Sequence, residues 1–177
     1  VRSSAASDVY KRQIENGADE VDIVLNVGRM LTGEYDEAAN EVEVIRSEMD
    51  ADVVLKVIIE SGALKTPDLI RKASLLSMFA GADFVKTSTG KIDVAATPEA
   101  AVVMCQAIRD YYQKTGRKVG FKAAGGVRTA EDAALYYTIV EEILGPEWLN
   151  TDMFRIGASS AANNLLSAIE GREIKYY

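Results

Sequence analysis

Histidine is absent from this 177-residue sequence, and cysteine occurs once, at Cys105. A single thiol excludes an internal disulfide, and without histidine the common zinc sites and histidine-activated nucleophiles are excluded as well. Proton transfer must therefore depend on carboxylates, lysines or tyrosines. Cys105 lies among the apolar residues Val102, Val103 and Ile108 of a predicted helix, and we interpret it as a packed core thiol.

Long apolar runs and an excess of positive charge are also lacking. The most apolar stretches are interrupted by a lysine, as in VVLKVII around Lys56, so none approaches the ~20 apolar residues of a membrane span. Twenty Lys and Arg against 27 Asp and Glu give a net charge of −7, which repels a polyanionic backbone. We expect neither a membrane nor a nucleic acid as partner. Residues 1–13 have no apolar signal-peptide core, so a cytoplasmic enzyme is the default expectation.

Short runs rich in β-branched residues alternate with segments of helical periodicity along the chain. The predicted strands are EVDIVLN from Glu20, VVLKVIIE from Val53, DFVKTST from Asp83, VGFKAAG from Val119 and MFRIGAS from Met153. Thr66, Thr97 and Thr129 each stand where a helix-capping hydroxyl is expected. The pattern predicts a βα repeat with a parallel sheet.

Two parallel architectures fit this repeat, the doubly wound open sheet and the eightfold barrel. The barrel is favoured because AAGGVR and GASS follow the last two strands, where barrels commonly bind phosphate, and because no GxGxxG opens a helix. Five units fill the chain, whereas a barrel takes about 250 residues. We therefore predict an α/β fold, a (β/α)8 TIM barrel that is N-terminally truncated with about strands 4 to 8 present.

Three predicted strands contain a lysine inside an apolar run: Lys56, Lys86 and Lys122. Because burial of an ammonium is costly, such a lysine either pairs with a carboxylate or becomes a neutral, nucleophilic amine, which a second cation nearby favours. A neutral amine is what Schiff-base chemistry needs. Asp22, also on a strand, is a candidate both for proton transfer and for an ion pair with one of these lysines. The residue types alone do not choose among the three lysines.

The ends of the last two strands are candidates for phosphate binding. Glycine lets the backbone approach an anion closely, and amides at a helix start attract it. The residues at these ends are Gly125, Gly126, Gly157, Ser159 and Ser160.

The segments at the strand ends together carry a specific resemblance to a known family. GADEVDIVLN, LKVIIESG, LIRKAS, GADFVKTSTGK, ATPEA, GFKAAGGVRTAEDA and FRIGASS, read in order, resemble the successive strand-end motifs of deoxyribose-phosphate aldolases. The resemblance implies a barrel that reversibly cleaves 2-deoxy-D-ribose 5-phosphate to D-glyceraldehyde 3-phosphate and acetaldehyde in deoxyribonucleotide catabolism, without a metal or another cofactor. The implied partners are these small molecules, and a homodimer is the assembly considered.

The resemblance also assigns roles to individual residues. It implies that Lys86 forms the imine, that Lys122 lowers the pKa of Lys86 and exchanges protons, and that Asp22 is the proton-transfer carboxylate. Lys56 is expected in a supporting role. Gly90 and Lys91 of the KTSTGK segment join the predicted phosphate-binding residues.

Some of the chain departs from that pattern. Residues 1–13 match none of it and are interpreted as a non-native or unmatched leader, with residues 14–177 as the C-terminal part of a single barrel domain. The terminal Tyr176 and Tyr177 are similar to the family's tyrosine-ended tail. Two alternatives stay open: another Schiff-base sugar-phosphate lyase or transferase of the barrel type, and an inactive truncated fragment.

Overall fold

Five parallel strands form one sheet in a computed structural model that describes residues 12–158 and 161–175. The strands are β1 (Glu20–Val24), β2 (Val54–Ile58), β3 (Phe84–Lys86), β4 (Gly120–Ala124) and β5 (Phe154–Gly157). All five predicted strands are confirmed. Parts of the predicted leader and of the predicted site and tail lie outside the described residues, namely 1–11, Ser159, Ser160, Tyr176 and Tyr177.

Helices connect the strands and cover one face of the sheet. They are α1 (Val27–Thr32), α2 (Tyr35–Ser47), α3 (Ser61–Leu64), α4 (Pro67–Phe79), α5 (Pro98–Thr115), α6 (Ala130–Leu144) and α7 (Ala161–Glu170), with a 3-10 turn at Pro146–Trp148. The predicted caps are confirmed, since the hydroxyls of Thr66, Thr97 and Thr129 accept backbone hydrogen bonds at the starts of α4, α5 and α6. In the part of the chain that the structure describes, no helix has the length and apolarity to cross a bilayer.

The order of the strands in the sheet is their order in the chain, and every neighbouring pair is parallel. A doubly wound sheet reverses its strand order at a switch point, and the five described strands have no such reversal. The sheet also curls, as an ion pair between its two edges shows. The guanidinium of Arg155 on β5 lies 2.9 Å from the carboxylate of Glu20 on β1. A sequential, curled parallel sheet is the wall of a barrel.

The two faces of this wall differ in chemistry because side chains alternate along each strand. Toward the helices, the strands bury an apolar set that includes Val21, Ile23, Leu55, Val57, Val85, Phe121 and Ala123. The alternate positions face the concave side and carry Glu20, Asp22, Lys56, Lys86, Lys122 and Arg155. The apolar face holds the helices in place, and the charged face is left for chemistry.

Candidate active site

One carboxylate, that of Asp22 on β1, is the centre of the charged face. Its Oδ2 accepts hydrogen bonds from the Nζ of Lys86 at 2.7 Å and from the Nζ of Lys122 at 2.9 Å. Its Oδ1 lies 3.2 Å from the Nζ of Lys56. The structure therefore brings together all four residues that were predicted to be catalytic or supporting.

The strand register explains this convergence. Asp22 pairs with Lys56 across β1 and β2, and Lys86 pairs with Lys122 across β3 and β4. Because side chains of paired residues leave the sheet on the same face, each pair points into the concavity. The curl of the sheet then allows the lysines of β3 and β4 to reach the carboxylate of β1.

Burial differs among the three lysines. The side chain of Lys56 is only 3% exposed and also lies 2.5 Å from Glu20, so it is enclosed between two carboxylates. The side chains of Lys86 and Lys122 retain 13% and 19% exposure. These two amines are thus accessible to a molecule that enters the concavity. Lys56 is buried and holds the carboxylates of Glu20 and Asp22 in place.

The protonation of the cluster follows from its burial and charges. Burial lowers the pKa of Lys122, and the nearby charges of Lys86 and Lys56 act in the same direction against the opposing effect of Asp22. Burial raises the pKa of Asp22, but hydrogen bonds from Lys86 and Lys122 outweigh it and leave that pKa well below its ordinary range. Asp22 is therefore ionised near neutral pH, whereas Lys122 loses its proton more readily than an ordinary lysine.

Sequence reasoning missed a second ion-pair group that supports this centre. The hydrogen bond from Lys56 is the main cause that holds the pKa of Glu20 below its ordinary value. Glu20 also accepts from Arg155, whose guanidinium lies 5.7 Å from the ring centre of Phe84. The available signal was the alternation of β1, which puts Glu20 on the same face as Asp22.

Cations outnumber carboxylates on the concave face. Within the five described strands, its cations are Lys56, Lys86, Lys122 and Arg155, and its carboxylates are Glu20 and Asp22. The whole chain, by contrast, has a formal net charge of −7. The concavity thus attracts an anionic molecule although the chain as a whole repels one.

The described residues among those predicted to bind phosphate lie where the strands end, at the rim of the concave face. The backbone N–H of Gly125, after β4, donates to the carbonyl of Gly157 at 3.3 Å. A Cβ added at Gly90, after β3, would lie 3.8 Å from the Cα of Gly125. The structure therefore brings Gly90, Gly125 and Gly157 together, while Gly126 has open space around its Cα and Lys91 is exposed. Ser159 and Ser160 lie outside the described residues.

Residues 6–144 match the model of the family described as DeoC/LacD family aldolase. The chain belongs to this aldolase family. It is 48% identical to the deoxyribose-phosphate aldolase of Mus musculus and 46% identical to that of Homo sapiens, in each case over 164 residues, which are 93% of this chain and 50% of the relative. The chain spans about half the length of these curated relatives.

Solved structures agree with this membership of the DeoC/LacD aldolases. A crystal structure of a candidate deoxyribose-phosphate aldolase from Coccidioides immitis matches with a TM-score of 0.76 and 32% identity, over 92% of this chain and 57% of that one. The resemblance predicted from the strand-end motifs is confirmed, and so is the barrel-type α/β fold with its five parallel strands.

Proposed function

We propose that the protein is a deoxyribose-phosphate aldolase that reversibly cleaves 2-deoxy-D-ribose 5-phosphate to D-glyceraldehyde 3-phosphate and acetaldehyde through a Schiff base on Lys86. The observation that carries the proposal is the pair of amines, Lys86 and Lys122, on one oxygen of Asp22 in a member of an aldolase family. The relatives at 46 to 48% identity bear the name of this activity.

Imine formation is the first step of the proposed reaction. The neutral amine of Lys86 attacks the C1 aldehyde of the open-chain sugar, and the resulting carbinolamine loses water to give an iminium ion. A cation beside an amine disfavours its protonated form, which is the role proposed for Lys122. Lys86 gives up its proton to solvent, and the ammonium of Lys122 then protonates the departing hydroxyl of the carbinolamine, which leaves Lys122 neutral for the next step. Asp22 orients both amines through its hydrogen bonds.

Carbon-carbon cleavage follows from the iminium ion. The C3 hydroxyl loses its proton, the C2–C3 bond breaks, and its electrons form an enamine on C2 while C3 becomes the aldehyde of glyceraldehyde 3-phosphate. Protonation at C2 and hydrolysis of the iminium then release acetaldehyde. Asp22 is charged at rest because of its low pKa, so we assign the exchange of protons mainly to Lys122. Asp22 holds a proton only transiently when it relays one directly or through water.

The phosphate of the substrate is proposed to bind at the glycine rim. Gly90, Gly125 and Gly157 lie close together there, and the backbone can approach a phosphate closely where no Cβ intervenes. The proposal extends to Lys91, Gly126, Ser159 and Ser160. A cytoplasmic location and a homodimeric assembly belong to the same proposal as expectations from the sequence.

The proposal is tested by measuring the release of acetaldehyde from 2-deoxy-D-ribose 5-phosphate. Lys86→Met should abolish the release, whereas Lys114→Met, which removes an exposed lysine of α5, should not. Release of a different carbonyl product from another sugar phosphate would favour the alternative lyase or transferase.

One observation favours the alternative that the chain is an inactive fragment: it spans about half the length of its curated relatives. Thermal melting followed by circular dichroism separates it from the active enzyme. A non-cooperative melt without acetaldehyde release would support the fragment.

A further inference from the structure

Glu60 has an unusual backbone for its residue type. It follows the end of β2 with φ +53° and ψ +59°, in the left-handed region that residues with a Cβ rarely adopt. Only one other non-glycine residue of the described part of the chain, Lys65, has a positive φ. Such a conformation persists when surrounding contacts hold it, so the contacts of Glu60 are informative.

Both carboxylate oxygens of Glu60 are used on a single residue. Oε1 accepts from the backbone N–H of Thr89 at 3.1 Å, and Oε2 accepts from the Thr89 hydroxyl at 2.7 Å. Glu60 is only 7% exposed and, within the described residues, forms no ion pair within 4.0 Å. A buried carboxylate needs hydrogen bonds to offset its loss of water, and here Thr89 of the KTSTGK segment supplies them.

Thr89 passes this restraint on to the rim. Its hydroxyl oxygen accepts from the backbone N–H of Lys91 at 3.2 Å, and the intervening N–H of Gly90 is held by the Ser88 hydroxyl at 2.9 Å. Gly90 and Lys91 are two of the residues proposed to meet the phosphate. The carboxylate of Glu60 thus holds Thr89, and Thr89 in turn holds the backbone of Lys91. Glu60 itself is not proposed to touch the phosphate.

Thr87, the residue after Lys86, is held by hydrogen bonds on both sides of β3. On the β2 side, the N–H of Ser61 donates to the carbonyl of Thr87 at 2.8 Å. On the β4 side, the Thr87 hydroxyl and the backbone of Ala124 exchange two hydrogen bonds of 2.9 Å. These bonds hold Thr87, the residue next to Lys86. The hydrogen bonds from Thr89 to Glu60 hold the chain two residues further on.

From this geometry we infer that Glu60 is a positioning residue, which acts through Thr89 to present residues 89–91 to the phosphate end of the substrate. The inference rests on the proposed function for the identity of the substrate. It assigns no contact between Glu60 and the reacting carbons, so the loss of its carboxylate affects binding of the phosphorylated sugar more than the chemical step.

Four variants separate the effect of the Glu60 carboxylate from the effect of its backbone conformation. Glu60→Gly removes the side chain and tolerates the positive φ, while Glu60→Gln keeps the shape and one acceptor oxygen. Thr89→Val removes the hydroxyl link from the other end, with Thr89→Ser as its matched control. Steady-state kinetics would be measured with 2-deoxy-D-ribose 5-phosphate and with unphosphorylated 2-deoxyribose.

We expect Glu60→Gly and Thr89→Val to raise KM for the phosphorylated sugar by roughly tenfold or more, the scale of a lost hydrogen bond to a charged group. KM for unphosphorylated 2-deoxyribose should change much less, and Glu60→Gln and Thr89→Ser should recover most of the loss. Equal changes with both sugars, or a fall confined to kcat, would overturn the inference, because general structural damage does not distinguish the two substrates.

Hydrogen exchange of the backbone amides tests the positioning without any reaction. The amides of Thr89 and Lys91 should exchange faster in Glu60→Gly than in the wild type, with Glu60→Gln between them, while the amide of Phe121 in β4 stays unchanged. Unchanged exchange at Thr89 and Lys91 would overturn the inference. If the wild type releases no acetaldehyde, the proposed function fails, and the exchange data still decide whether Glu60 orders the loop.

Discussion

The amine of Lys86 lies 2.7 Å from a carboxylate oxygen of Asp22, although 64 residues separate the two in the chain. Lys122, which is 100 residues from Asp22, bonds to the same oxygen. Two ammonium groups on one oxygen repel each other, so the arrangement holds only while the carboxylate between them is charged. The charge of Asp22 is therefore both a structural and a chemical requirement of the site.

Replacement of Asp22 by Asn should destabilise the fold, because it leaves the amines of Lys56, Lys86 and Lys122 without their shared carboxylate. We expect a loss of roughly 1 to 3 kcal/mol at pH 7, less than for a fully buried pair because the Asp22 side chain is 27% exposed. Urea unfolding measures it, with Asp52→Asn, a change at an exposed loop residue, as the control.

The same pair of variants tests the pH dependence. The folded pKa of Asp22 is lower than the unfolded value of about 3.9, so its contribution is fully present above about pH 4 and is lost as pH falls through the folded pKa. The wild type and Asp52→Asn should lose stability on acidification more steeply than Asp22→Asn. Parallel curves for all three would show that Asp22 is not stabilised by its lysines.

Lys122→Leu should slow imine formation near neutral pH and recover part of the rate at higher pH. The variant lacks the cation that disfavours an ammonium group beside it, and added base compensates for that loss. The rate is followed from about pH 6 to about pH 10, a range that extends close to the ordinary lysine pKa of about 10.4. Lys56→Met serves as the comparison, since Lys56 contacts the other oxygen of Asp22. A loss of equal size at every pH would instead indicate that Lys122 touches the substrate or supports the fold.

Gly126→Leu should raise KM for 2-deoxy-D-ribose 5-phosphate much more than KM for 2-deoxyribose, because the new side chain fills the space proposed for the phosphate. Gly116→Leu is the matched control, since Gly116 also has a positive φ and open space but ends α5 away from the rim. Both variants carry the same backbone strain, so only the difference between them reports on the phosphate. Equal effects on the two sugars would count against the assignment.

The strands and the clustered charged residues of the candidate site could be predicted from the sequence because each is a local pattern. A lysine inside an apolar run, such as Lys56 or Lys122, marks an inward position of a buried strand whatever the rest of the chain does. The bond between Arg155 and Glu20 was not predictable in this way, since 135 residues separate them and only the curl of the sheet brings them together. Glu60 is the last residue of the predicted strand VVLKVIIE, and its left-handed backbone leaves no trace in the sequence.

Reductive trapping identifies the lysine that forms the imine, which we propose is Lys86. Incubation of the folded protein with acetaldehyde and borohydride reduces the iminium to a stable ethyl group on the reacting amine, and peptide mass mapping locates it. We expect the added mass on Lys86, absent from Lys86→Met and unchanged in Lys114→Met. Labelling of Lys122 or Lys56 with Lys86 unmodified would contradict the assignment of Lys86 as the lysine that forms the imine.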